Sequence, residues 1–212
     1  MSSASERDLE TTIQFYDQHA DSYEWGLGKN AEVQKSFISP LQPELNSDSL
    51  LIDLCCGKGS FLNGLNAAGI VRYIGVDASE AMLAEARQRF PDNDFRLGRA
   101  ESLASVVPET CDAFSVIHGF THISPSAAHK FIKGLRAVLR TNAVGVVIIG
   151  ATSGTPKSTV MRRQWRDVSN VVGVSWSVKE LRKCFEQSRF KRINTTTEYQ
   201  DPDNMALYFR AI

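Results

Sequence analysis

The sequence is short of cysteine, of net charge and of long apolar runs, and each shortage removes a class of function. Only four cysteines occur in 212 residues: Cys55, Cys56, Cys111 and Cys184. None forms a C-x-x-C pair and no Cys/His cluster has zinc-ligand spacing, so neither a zinc centre nor a dithiol redox site is supported. The vicinal pair Cys55-Cys56 would bridge only with backbone strain. Reduced, buried thiols of a cytoplasmic protein are therefore expected. Lys plus Arg and Asp plus Glu each number 24, giving a formal net charge of zero. That balance argues against nucleic acid or an anionic membrane as the main partner, because both usually call for a basic surface. No apolar run approaches the roughly 18 residues of a membrane span. The first residues, "MSSASERDLETT", lack the apolar centre of a signal peptide. Membrane insertion is not expected, and no internal repeat is visible.

What is present is an alternation of strand and helix. With 42% hydrophobic and 23% charged residues, the chain is long enough to bury a sizeable core. Residues 1–10 read as a frayed polar tail. "TTIQFYDQHADSYEWG" then spaces Ile13, Tyr16, Ala20 and Tyr23 as one face of a helix. A short second helix over 31–45 stops near Pro40 and Pro43. From residue 50, apolar strands at 50–56, 71–77, 94–100, 111–120 and 143–152 alternate with helices at 59–68, 79–90 and 125–139. Ser79 is the expected N-cap of one helix and Pro125 the first residue of another. Such alternation predicts right-handed crossovers and a doubly wound, Rossmann-like α/β sheet with helices on both faces. After residue 152 the rhythm changes. "KSTVMRRQWRD" reads as a basic helical piece within a substrate-side insertion, 153–175. The chain closes with a capped helix and two strand-like runs, the last antiparallel to the rest. Residues 1–45 form a helical lid segment in this reading, and 46–212 the ligand-binding domain.

The informative stretch is "DLCCGKG", Asp53 to Gly59, at the end of the first strand. In open α/β sheets, ligands bind at the carboxyl ends of the strands. Gly57 and Gly59 allow a tight turn and close approach of a ligand. A second strand ends in Asp77, where a ribose would present its diol. A dinucleotide site spaces its glycines G-x-G-x-x-G, and the third glycine is missing here. Asp53, just before the glycines, would repel a phosphate and attract a cation. These residues lean to S-adenosylmethionine, a nucleoside with a cationic tail and no phosphate; a nicotinamide-dependent oxidoreductase is the alternative that Asp53 and the missing glycine disfavour.

"FYDQHADSYEWG", "LLIDLCCGKGSF", "YIGVDASEAMLAEARQRF", "FRLGRAESL" and "CDAFSVIHGFTHI", taken together and in order, resemble the class I S-adenosylmethionine-dependent methyltransferases. The similarity is nearest to the small-molecule branch with the ubiquinone/menaquinone-type enzymes, and spans about residues 13–212. It implies a seven-stranded sheet with an antiparallel last strand, and S-adenosylhomocysteine as product. By position it implies Asp53, Cys55, Gly57 and Gly59 at the methionine end of the cofactor. Asp77 falls at the ribose, Ala78 and Met82 near the adenine, Ala100 and Glu101 at the adenine edge. His118 and Gly119 fall near the sulfonium, with Tyr16 and Tyr23 folded over the site. Two departures stand out. Cys55 replaces the family's first glycine, which a cysteine tolerates at negative φ. Arg99 replaces an acidic acceptor for the adenine amine, and a guanidinium accepts no hydrogen bond.

For the chemistry itself, methyl transfer to a hydroxyl benefits from a general base, commonly histidine. His118 and His122 are the candidates, each also readable as a packed rim residue. His19, Trp25, His122, Arg162 and Trp165 are candidate substrate contacts, alongside Arg163 and Arg166. For the aromatics the competing reading is lid core, and for the arginines a solvated face. The cysteines read as small buried hydrophobes. The acceptor is expected to be a small molecule, methylated on oxygen first, then carbon or nitrogen. The competing reading is a regulatory protein that keeps the cofactor but not transfer. No metal is implied, and a monomer or homodimer is expected.

Overall fold

The computed structural model describes residues 4–23, 30–70, 72–150, 157–193 and 204–212, with backbone alone for 4, 5 and 163–165. Helices α1 (Ala4–His19) and α2 (Ala31–Ile38) precede the alternating region. That region runs β1 (Leu50–Leu54), α3 (Leu62–Ala67), β2 (Arg72–Asp77), α4 (Glu80–Arg89), β3 (Asp94–Leu97), α5 (Leu103–Val106), β4 (Cys111–Ile117), α6 (Pro125–Ala137) and β5 (Leu139–Gly150). There follow β6 (Thr159–Trp165), β7 (Val168–Ser175), α7 (Val178–Gln187), β8 (Phe190–Arg192) and β9 (Asn204–Ala211). Short 3₁₀ turns cover Ala100–Ser102 and Gly119–His122.

Seven strands form one sheet in the order β3-β2-β1-β4-β5-β9-β8, with β9 antiparallel to its neighbours β5 and β8. The order reverses between β1 and β4, so the crevice of a doubly wound fold opens at their carboxyl ends. All five residues of β1 are buried, as expected for a parallel strand covered on both faces. Leu50, Ile52 and Leu54 face a cluster with Ile132 and Leu135 of α6 and Phe185 of α7. Leu51, from the opposite face, joins Phe37 and Ile38 of α2, Leu65 of α3 and Leu83 of α4. Local signals place the helix starts. The Ser79 hydroxyl accepts the Met82 N–H at the start of α4, and Pro125 opens α6.

Two expectations about local structure fail. Residues 157–165 are not helical: β6 pairs with β7 as an antiparallel hairpin outside the main sheet. Its partner strand supplies Val168, Val171, Val172 and Val174, and β-branched residues favour a pleated surface. Residues 4–10 are not a frayed tail either. They continue α1, which is held by ion pairs from Asp8 to Arg162 and from Glu10 to Arg99. Phe15 of α1 is fully buried against Val168 and Val171 of the hairpin, with Tyr16 and Tyr23 beside them. The stretch "DPDN", whose composition fits a hairpin-like reversal before the last strand, lies for 201–203 outside the described residues.

Gly134 of α6 lets the helix meet the turn at Ala100. A Cβ added there would lie 1.7 Å from the Ala100 carbonyl oxygen. Helix propensity alone favours alanine by about 1 kcal/mol, so the sign of Gly134→Ala tests this contact. Overpacking against backbone should win, with a net cost of about 3 kcal/mol and a fall in Tm of roughly 6–12 °C by thermal unfolding.

Candidate active site

At the switch point, a cavity of about 760 Å³ opens between the strand ends, α1 and the amino-terminal half of α6. That volume lies in the usual range of small-molecule sites, roughly 300–1,000 Å³. Its floor is the Asp53–Gly59 loop. Gly57 has φ +53° and Gly59 φ +69°, the left-handed region that glycine enters freely. The Asp77 carboxylate is tied to this loop: one oxygen accepts the Gly57 N–H at 2.8 Å, the other the Ser79 N–H at 2.9 Å. Burial raises its pKa, and the backbone N–H groups of Ser79, Gly57 and Ala78 oppose that shift. Each carboxylate oxygen keeps acceptor capacity beyond the bond it makes.

Asp53 is 1% exposed. Its oxygens accept the Ser115 hydroxyl at 2.6 Å and the Tyr73 hydroxyl at 3.1 Å. Ser115 is the β4 residue directly across from it and Gly75 the β2 one. A Cβ on Gly75 would collide with the Tyr73 hydroxyl and the Cys56 sulfur, so the missing side chain makes room for both. Among the described residues, hydroxyls alone hold Asp53. Burial pushes its pKa up to about 7, against the pull of the two hydroxyl donors, and the Asp77 charge pushes the same way.

Cys55 has φ +59°, not the negative φ expected for a side chain in a glycine position. Left-handed backbone costs a non-glycine residue roughly 1–2 kcal/mol. The cysteine fits because Gly119 faces it: a Cβ there would lie 2.9 Å from the Cys55 sulfur. Burial, and then the charges of Asp77, Asp53 and Glu101, hold the Cys55 thiol well above its ordinary pKa. It is a neutral wall element, not a thiolate. Cys56 is buried and its pKa is raised for the same leading reason.

The comparisons with known proteins fit this geometry. Residues 51–142 match the family described as a methyltransferase domain. A stretch of 61 residues is 41% identical to an mRNA cap guanine-N(7) methyltransferase of Debaryomyces hansenii, covering 29% of this chain and 12% of that protein. Another of 96 residues is 36% identical to a dTDP-3-amino-3,4,6-trideoxy-alpha-D-glucopyranose N,N-dimethyltransferase of Streptomyces venezuelae, covering 38% of this chain and 39% of that one. The chain thus spans well under half the length of either relative. Among solved structures, the DhpI–SAH complex superposes with a TM-score of 0.74 at 19% identity, covering 96% of both chains. The fold is that of the S-adenosylmethionine-dependent methyltransferases.

Around this cavity, the structure brings Tyr16, Tyr23, Asp53, Cys55, Gly57, Asp77, Ala78, Met82, Ala100, Glu101, His118, Gly119 and His122 together. Gly59 sits just behind the lining, where a Cβ would strike Phe95 and Phe90. His122 is held at both ring nitrogens. Nδ1 lies 2.5 Å from the Val172 carbonyl and Nε2 2.8 Å from the Tyr16 hydroxyl. A carbonyl only accepts, so Nδ1 carries the proton, and in the neutral ring Nε2 accepts from Tyr16. Burial, with Tyr23 next, keeps the Tyr16 phenol well above its ordinary pKa and therefore protonated. His118 has φ +56° and gives its N–H to the Ile148 carbonyl.

Two candidate substrate contacts lie outside the lining. His19 bridges the Phe15 carbonyl and Asp167, and Arg162 forks onto Asp8. Both fasten α1 to the hairpin. Trp25 lies outside the described residues, as does the side chain of Trp165. Arg99, exposed to solvent, pairs with Glu10 of α1 at 2.5 Å. Lys58, 6% exposed, lines the cavity and donates to the Asp21 carbonyl. Nothing in composition or period marks this lysine in the sequence.

The Cys55–Gly119 contact predicts a rescue. Gly119→Ala should lower Tm by several degrees. Adding Cys55→Gly should recover part of that loss but not all, because Val116 also lies 2.9 Å from the new Cβ. Thermal unfolding of the two single variants and the double variant measures the coupling.

Proposed function

We propose that this protein transfers the methyl group of S-adenosylmethionine to a small-molecule acceptor, oxygen first, then carbon or nitrogen. The observation that carries the reading is Asp53: a buried carboxylate in the cavity wall, held by two hydroxyls, with Asp77 next to it on the glycine loop. Two acids at the loop repel a pyrophosphate and favour a cationic nucleoside, which disfavours a nicotinamide cofactor. In this reading Asp77 holds the ribose hydroxyls, and Ala78 and Met82 flank the adenine with Ala100 and Glu101 at its edge. Asp53 balances the positive charge, with Cys55, Gly57 and Gly119 forming the wall. Residues 46–212 act as the binding domain, while α1 and the β6–β7 hairpin act as its cover. α2, packed in the main core, stays with the domain.

When bound, the cofactor supplies an electrophilic methyl on sulfur and leaves as S-adenosylhomocysteine. This chain's part is to orient the acceptor, exclude water and take its proton. Tyr16 and His122 form the pair for that last role. His122 Nε2 is the one ring nitrogen able to take a proton, since the Val172 carbonyl fixes the other as N–H. The two relatives, a guanine-N(7) methyltransferase and an N,N-dimethyltransferase, are named for nitrogen acceptors, so an amine is the alternative to a hydroxyl, and an acceptor panel decides between them.

The binding test is calorimetry. S-adenosylhomocysteine should bind and NADH should not; the reverse would sink this reading, and binding without transfer to any acceptor would favour a regulatory protein. Asp53→Ala should weaken S-adenosylmethionine binding at least tenfold, against less than about threefold for Cys55→Ser. The pH dependence follows in sign. Asp53 keeps its proton in the free protein up to about pH 7, and a bound cation favours the ionised form. Affinity should therefore rise as pH rises toward 7, by up to about tenfold per unit, then level off. Asp53→Asn should flatten that slope, and a flat wild-type profile from pH 5.5 to 8 would count against the acid facing the cation. His122→Gln should lower kcat about 10²-fold for a hydroxyl acceptor with little change in cofactor affinity.

A further inference from the structure

Ser79 is a buried hub, 1% exposed, and it connects two elements that are otherwise distant in sequence. Its N–H donates to Asp77 at 2.9 Å, and its hydroxyl oxygen accepts the Met82 N–H at 3.2 Å. Its hydroxyl proton goes to Asp17 of α1 at 2.6 Å, and the same Asp17 oxygen also accepts the Ala81 N–H at 3.3 Å. Asp17 thus caps α4 from another helix, serving N–H groups that an α-helix leaves unpaired at its start. A carboxylate is the favoured group there because of the helix dipole. From Asp17 the bonds run without a gap through Ser79 and Asp77 to the Gly57 N–H. Met82, one turn into α4, lies against Gly57 in the cavity wall. Asp17 is also near enough to Asp77 that its charge raises the proton affinity of that acid.

We infer that Asp17 is a positioning residue: by capping α4 through Ser79, it makes the seating of α1 and the grip of Asp77 and Met82 on the nucleoside half of the cofactor one event. The inference rests on the S-adenosylmethionine reading above and deepens it. Asp17 does not touch the ligand; it acts through Ser79. By linkage, seating α1 tightens nucleoside binding by the same factor as nucleoside binding favours the seated α1. The other polar ties of α1 run to Asp167 and Arg162 of the hairpin, to Arg99 after β3 and to His122 after β4. Those ties hold it as a cover, while the Asp17 contact leads through Ser79 to Asp77.

The test uses the full chain and two ligands, S-adenosylhomocysteine and 5′-methylthioadenosine, which keeps the nucleoside and lacks the amino-acid tail. Asp17→Ala should weaken both by about tenfold, the loss expected for one hydrogen bond to a charged group. Asp17→Asn, whose amide oxygen still accepts the Ser79 hydroxyl, should stay within about threefold of wild type. Asp17→Ala with Ser79→Ala should be no weaker than the worse single variant by more than about threefold, where independent effects would multiply. Loss of S-adenosylhomocysteine binding with 5′-methylthioadenosine unaffected would make Asp17 a mere cover residue and overturn the inference, as would wild-type affinity for both ligands. If Asp17→Ala is too unstable to titrate, Ser79→Ala carries the test, with the same parallel loss expected and unchanged affinity overturning it. A wild-type chain that binds neither ligand overturns the proposed function and this inference together; wild-type binding with an indifferent Asp17→Ala overturns the inference alone.

Discussion

A carboxylate buried at the end of the central strand is the constraint on which the site depends. Asp53 cannot face water, so its neighbours must satisfy it. Ser115 from β4 and Tyr73 from β2 do so on either side. That places the acid across the very strands between which the sheet changes direction. Gly75, directly opposite, has no side chain because the Tyr73 hydroxyl occupies the space. The arrangement costs desolvation, visible as a carboxyl that holds its proton to about pH 7. A core made only for stability has little use for such a group, since a buried charge with no cation beside it is unfavourable. Its presence in a cavity wall is a functional statement.

The second constraint is geometric. The loop after β1 must turn within a few residues, and it does so with three left-handed residues, one of them a cysteine. Cys55 and Gly119 exchange the roles expected of a glycine loop: the side chain on one strand end is accommodated by its absence on the next. The strain stays local because β1 and β4 are clamped by parallel pairing over their length.

The cover over the cavity is built differently. α1 and the β6–β7 hairpin share a small apolar cluster around Phe15, and most of their other ties are exposed ion pairs and single hydrogen bonds. Exposed pairs are individually weak, so this layer is held by many small terms and the sheet beneath it by burial. A cover that admits and releases ligands draws on the less stable parts of a fold.

How far this was legible in sequence depends on the distance over which each feature is decided. The strand–helix rhythm, the caps at Ser79 and Pro125, the glycine turn and the acids Asp53 and Asp77 are local or periodic, and the sequence by itself determined them. It also determined what the chain lacks, because composition needs no coordinates. The hairpin was misread because Arg162, Arg163 and Arg166 suggested a charged helix face, while its strand character comes from pairing with valines that follow the turn. Ser115 and Tyr73 were invisible as partners of Asp53, since register between β4, β1 and β2 is settled by packing on both faces of the sheet. The same holds for the contacts by which His19 and Arg162 fasten α1 to the hairpin. Only the tertiary structure decided which hydroxyl meets which acid, that Cys55 is left-handed, and that α1 caps α4 through Asp17. Each of these joins residues tens of positions apart, where sequence period carries no information and close packing sets the partner.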